Sequence, residues 1–138
     1  MKSVNTYLSF DGDCRRAMSF YQQCLGAELE LNPYPDTNGR PSSDPTARVM
    51  HSQLVRRGTP FLMASDTPQA GSIRSGNNFS VAIDCDSVDE ADRLFTALGR
   101  NGEVRMPLTD APWGARFGML TDQFGIQWMF NCYLSQHS

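Results

Sequence analysis

The sequence predicts an α+β fold made of two tandem βαβββ modules, and three observations carry that prediction. YLSFDGDCRRAMSFYQQCLGAELEL (Tyr7 to Leu31) and FSVAIDCDSVDEADRLFTALGRNGEVRM (Phe79 to Met106) both run apolar strand, polar turn, amphipathic helix, LG, then a further strand. A repeat of about 70 residues in a chain of 138 residues leaves neither copy large enough to bury a core by itself. The strands alternate with period two, so each presents an apolar face and a mixed face. One domain is expected over 1–138, with module one at about 1–66, a linker at about 67–77 and module two at about 78–135.

The first strand is expected at Val4 to Phe10. Asp13 is a good N-cap for a helix carrying Ala17, Phe20, Tyr21, Cys24 and Leu25 at helical spacing, and Gly26 is a natural C-cap. AELEL then opens a strand. NPYPDTNGRPSSDPT (Asn32 to Thr46) is too rich in proline and polar residues for a core element and reads as a mobile loop or a lid. Ala47 to Val55 and Pro60 to Ser65 form a hairpin. Asp66 to Asn78 links the copies. In the second copy Phe79, Val81 and Ile83 alternate with Ser80, Ala82 and Asp84, and Ser87 with Glu90 forms a capping box opening a helix to about Leu98. Strands follow at Glu103 to Met106, Arg116 to Leu120 and Ile126 to Tyr133, with Pro107 to Gly114 a turn-rich loop.

Composition narrows the function classes. Residues are 40% hydrophobic and 20% charged, the balance of an ordinary soluble domain. No run reaches the length of a spanning helix, and MKSVNTYLSF lacks the features of a signal peptide, so no membrane association and a cytoplasmic location are expected. The net charge of -3 with scattered basic residues provides no footprint for nucleic acid. Cys14, Cys24, Cys85 and Cys132 form no CxxC pair and read as reduced packing residues. There is no GxSxG, P-loop or GxGxxG motif.

Sorting the strands by face gives an apolar set of Leu8, Phe10, Leu62, Phe79, Val81, Ile83, Ile126, Trp128 and Phe130. The opposite set is Asn5, Tyr7, Ser9, His51, Gln53, Met63, Ser65, Ser80, Gln127, Met129 and Asn131. A sheet covered by helices on one side normally wets the other. Yet no Lys or Glu falls in this second set, and hydrogen-bonding neutrals mixed with aromatic and Met side chains are what a ligand cleft uses.

The blocks FYQQCLGAE and LTDQFGIQWM, with VMHSQLVRRGTPFLMASD and PLTDAPWGARFG, resemble PhnB-like proteins of the vicinal oxygen chelate superfamily, which includes glyoxalase I, extradiol dioxygenases and bleomycin resistance proteins. The resemblance implies cupped, mostly antiparallel sheets with helices on the outer face, a cavity for a small-molecule ligand, and a homodimer. It also implies, in the metal enzymes, a His on the first strand and a Glu on the last strand of each module around a divalent ion. Those positions fall at Asn5, Met63, Asn78 and Met129 in this sequence. Amides bind divalent ions weakly and thioethers prefer soft copper, so no metal ligands and no cofactor are expected. The methyltransferase label attached to some such proteins would need a Gly-rich adenosylmethionine loop, and none is present.

Within this frame the expected ligand-binding residues are Asn5, Tyr7, His51, Gln53, Met63, Trp113, Arg116, Gln127, Met129 and Asn131. His51 is the candidate catalytic residue: it suits general-base work, a rearranged divalent-metal site with Asp66, Cys132 or Asp122 as partner, or a plain structural hydrogen bond. Trp113 is either a plug on the sheet edge or an aromatic cover over a ligand. Arg116 either grips an anion or pairs on the surface, the second being the commoner use. The function expected is metal-free binding of a small organic molecule, with a divalent-metal-dependent lyase, isomerase or dioxygenase built around His51 as the alternative.

Overall fold

The computed structural model describes residues 1–134, which divide into two compact units, Met1–Arg74 and a second beginning at Ser75. The first contains β1 (Thr6–Phe10), α1 (Cys14–Leu25), β2 (Glu28–Pro33), β3 (Val49–Arg56) and β4 (Thr59–Asp66). The second contains β5 (Val81–Asp84), α2 (Val88–Leu98), β6 (Glu103–Ala111), β7 (Ala115–Thr121) and β8 (Gln127–Tyr133). The strand orders are β1-β4-β3-β2 and β5-β8-β7-β6, so one βαβββ topology occurs twice. In each sheet the first and last strands pair in parallel and the other pairings are antiparallel. The fold is α+β, as the repeat and the strand alternation imply.

Each helix covers one face of its sheet. In module one the alternate strand residues Leu8, Phe10, Leu54, Leu62 and Ala64 meet Ala17, Met18 and Tyr21 of α1 in the core. Module two does the same with Leu120, Trp128 and Phe130 against Ala91, Leu94 and Leu98 of α2, and Phe95 meets Phe130 edge-on at 5.2 Å between centroids. Fully burying a side chain such as Leu62 or Phe130 contributes about 1.5–3 kcal/mol. Gly26 ends α1 in the left-handed conformation at φ 66°, where a Cβ would be strained.

Several boundaries differ from the sequence expectation, each for a physical reason. β6 continues through Pro107 to Ala111, because β6 is an edge strand and an edge tolerates a missing N–H. Phe79 precedes β5 and is 72% exposed, so the expected core residue is a surface one. In α1, Cys14 and Met18 are buried while Phe20 and Leu25 are only partly so, which turns the apolar stripe toward the N-terminal side of the expected one. Asn5 lies just ahead of β1 and is exposed. Asn32 and Pro33, expected in the loop, complete β2. The remainder of that loop is a chain of local turns: Asp36 accepts from the amides of Asn38 and Arg40, Asp44 from that of Thr46, and Tyr34 donates its hydroxyl to the Asp66 carbonyl at 3.2 Å.

Candidate functional site

The uncovered face of each sheet can be read row by row from the strand register. In module one, Tyr7 lies opposite Met63, Met63 opposite Gln53, and Gln53 opposite Glu30, which gives one continuous row across all four strands. The next row along pairs Ser9 with Ser65 and His51 with Asn32. The side chains are hydrogen-bonded to one another. Gln53 Nε2 donates to Glu30 Oε1 at 2.7 Å, and the Tyr7 hydroxyl lies 3.3 Å from His51 Nδ1 with the rings 6.0 Å apart. Glu30 corrects the expectation of a face without Lys or Glu, because β2 pairs with β3 and brings Glu30 into the row of Gln53.

The candidate partners of His51 are engaged elsewhere. Asp66 is buried at 1% exposure on the helix-facing side, where Oδ1 accepts from the amides of Gly12 at 2.7 Å and Cys14 at 3.0 Å and Oδ2 from Val49 at 2.8 Å. Far from being linker, Asp66 ties the turn before α1 to β3. Asp122, likewise buried, accepts from the amides of Phe124 and Ile126 and from the indole N–H of Trp128 at 2.8 Å. Cys132 is buried on the core side of β8. Burial pushes the Cys14 thiol up to about 11 and does the same to Cys85, which keeps both protonated at neutral pH.

Module two repeats the rows with different chemistry. Ala82, Met129, Met119 and Met106 form the row that matches Tyr7, Met63, Gln53 and Glu30. Asp84, Asn131, Phe117 and Thr109 form the next. An open groove of about 560 Å³ runs along the methionine row, walled by Met106, Met119 and Met129, by Asn78, Phe79 and Ser80 ahead of β5, and by Arg105 and Gln127. Gln127 shapes its end by donating to the Phe79 carbonyl at 2.8 Å.

Trp113 sits in the turn between β6 and β7, 59% exposed, edge-on to Phe117 at 5.4 Å. Arg116 pairs with Asp110 at 3.2 Å and Asp92 at 3.3 Å, the surface pairing that is its commoner use. The expected residues thus fall into two groups. Tyr7, His51, Gln53 and Met63 share the open face of module one, while Gln127, Met129 and Asn131 share that of module two. Glu30, Arg105, Met106 and Met119 are not among the residues expected from the sequence. The pairing of β6 and β7 brings the last three to the groove, and no local motif marks them.

A model of the Glyoxalase/Bleomycin resistance protein/Dioxygenase superfamily matches residues 3–130. The chain belongs to this superfamily. Its structure is similar to that of protein PA1353 from Pseudomonas aeruginosa, with a TM-score of 0.82, 40% identity, and coverage of 98% of this chain and 100% of that one. The PhnB protein from Bacillus cereus aligns with a TM-score of 0.77 and 25% identity over 95% of this chain and 99% of its own. Protein YjdN of Escherichia coli is 31% identical over 144 residues, 96% of this chain and 97% of that protein. These likenesses agree with the PhnB-like resemblance read from the sequence.

Register also relates the four positions that the resemblance gives for metal ligands in other members. Met63 faces Tyr7, and Met129 faces Ala82. Asn5 stands two residues before Tyr7, so its counterpart two residues before Ala82 is Ser80, and Asn78 lies a further strand step away. Among the described residues, no group of three or more His, Cys, Asp or Glu side chains could hold a metal ion.

Proposed function

We propose that this superfamily member binds a small organic molecule on the open faces of its sheets without the superfamily's usual metal. The observation that carries this reading is the wall chemistry of the module-two groove: thioethers, amides, a hydroxyl, an aromatic ring and one guanidinium, with no carboxylate or imidazole. Apolar walls with a few convergent polar groups are what ligand pockets use. The donor set at the metal positions is Asn5, Met63, Ser80 or Asn78, and Met129, and it does not fit a divalent ion, which asks for carboxylate oxygen and imidazole nitrogen. A homodimer and a cytoplasmic location belong to the same proposal; sedimentation of the purified chain tests the first.

Elemental mass spectrometry on protein purified without chelator, then reconstituted with Ni, Zn, Mn and Fe(II), tests the metal-free reading. The expected result is far less than one ion per chain throughout, and stoichiometric metal overturns it. Thermal shift against a metabolite library should give at least one rise in melting temperature, because binding to the native state stabilises it.

The Tyr7–His51 hydrogen bond favours a second reading, in which this pair moves a proton on a bound molecule. His51→Ala and Tyr7→Phe would then both abolish turnover with folding intact. Under the binding reading they change affinity alone.

A further inference from the structure

We propose that the module-two groove takes an organic carboxylate, with a flat apolar body laid on Met106, Met119 and Met129 and its carboxylate held by the Arg105 guanidinium. The inference rests on the reading of this groove as a ligand site and adds the chemical class of the ligand.

The geometry that points to it is a β-bulge. Val104 pairs with Leu120 and Met106 with Met119, so β6 spends two residues where β7 spends one, and Arg105 is the extra residue. Bulges on edge strands re-aim a side chain. Here the result is that Arg105 and Met106, neighbours in sequence, both line the groove, whereas regular alternation would send them to opposite faces. The bulge thus sets a cation beside a floor of three thioethers, where an anionic group on a ligand would complement it.

The chain itself supplies little. Arg105 reaches Thr121 Oγ1 only at 3.5 Å, a long contact to a neutral hydroxyl, and it makes no ion pair among the described residues. By contrast Arg48 is held by Asp11 at 2.8 Å and Arg116 by two carboxylates. A guanidinium offers a planar fork that matches a carboxylate in two parallel hydrogen bonds. The three thioethers supply a soft, adaptable apolar floor that favours a ring system. A groove of about 560 Å³ has room for one small molecule.

The test uses the full chain labelled with 13C at the methionine methyls, titrated with benzoate, 2-naphthoate and indole-3-acetate and with the three matching primary amides. The expected result is that the acids shift the Met106, Met119 and Met129 methyl signals and bind about tenfold tighter than their amides, a preference that fades as salt rises. Arg105→Gln should erase the preference without lowering the melting temperature, since the side chain is exposed, and Arg105→Lys should keep part of it. Acids and amides binding equally well at these methyls, or Arg105→Gln leaving acid affinity unchanged, overturns the carboxylate proposal and leaves small-molecule binding standing. Silence of all three methyls with every acid and every amide overturns both.

Discussion

The two modules share a frame and differ in what they put on it. Matching the central pairings aligns Leu62 with Trp128, Ala64 with Phe130, Ser52 with Gly118, and Leu54 with Leu120. On the helix side one exchange compensates in volume: module two sets Gly118 opposite the large Phe130, where module one sets Ser52 opposite Ala64. On the open side nothing compensates. Module one joins Tyr7 to His51 and Gln53 to Glu30 by hydrogen bonds, and module two sets Ala82, Phe117, Met119 and Met106 at the equivalent places. The difference teaches that packing holds the covered face of a duplicated unit to one solution, while the uncovered face is free to specialise.

The helix starts show a second divergence, and it gives the largest predicted effect. Helix α2 is capped locally: the Ser87 hydroxyl accepts from the Glu90 amide at 3.1 Å and the Glu90 carboxylate from the Asp86 amide at 2.8 Å. At α1, Asp13 makes no such cap, and the Asp66 carboxylate from β4 takes the Gly12 and Cys14 amides instead. Asp66→Ala leaves three amides without their acceptor, those of Cys14 and Val49 buried and that of Gly12 partly so, and should lower unfolding free energy by about 3–5 kcal/mol, measured by urea denaturation. Ser87→Ala removes one cap bond and should lower it by only about 1 kcal/mol. Equal losses from the two substitutions would show that the modules begin their helices in the same way after all.

Between these two falls an exchange of one module's residue into the other. A Cβ at position 118 would stand 2.8 Å from Phe95 Cε2 and 3.0 Å from Leu108 Cα. Gly118→Ser therefore overpacks the seam between α2 and β7 and should destabilise by about 1–3 kcal/mol in thermal melts. Ser52→Gly, the reverse exchange, loses the bond from Ser52 Oγ to the Ala64 carbonyl at 2.8 Å and adds backbone freedom, for about 1–2 kcal/mol. If Gly118→Ser proved harmless, the complementarity between Phe130, Phe95 and Gly118 would have to be abandoned.

The sequence spoke clearly where one residue's role follows from its neighbours along the chain. The 3.6-residue stripe of α1, the capping box at Ser87 and the alternation of β8 all reappear in the structure within a residue or two. It was silent where a role is set by a residue far away. Asp66 reads as the first polar residue of a linker, and only its contacts with Gly12, Cys14 and Val49 make it a core carboxylate. Phe79 continues the alternation of Val81 and Ile83, yet it lies beyond the end of β5's pairing with β8, so nothing covers it. Pro107 reads as a strand breaker until β6 is known to be an edge. The methionine row was half visible, since Met129 was assigned a face while Met119 and Met106 needed the β7 and β6 registers.

The smallest expected effect on stability belongs to the substitution that says most about specialisation. Met119→Gln gives module two the residue that module one carries at Gln53. Met119 is only partly buried and faces an open groove, so a side chain of equal length should shift the melting temperature by no more than about 2 °C. Ligand binding should nonetheless fall, because the amide replaces the middle of the apolar floor and retains its own water. Gln53→Met in module one should have no effect on binding in the module-two groove, where Gln53 is not among the walls. A matched loss from both substitutions would mean that the two faces act on the ligand together and that the methionine row alone does not define the site. Loss from Met119→Gln alone assigns the apolar half of recognition to module two and leaves the Tyr7, His51, Gln53 and Glu30 face for a different task.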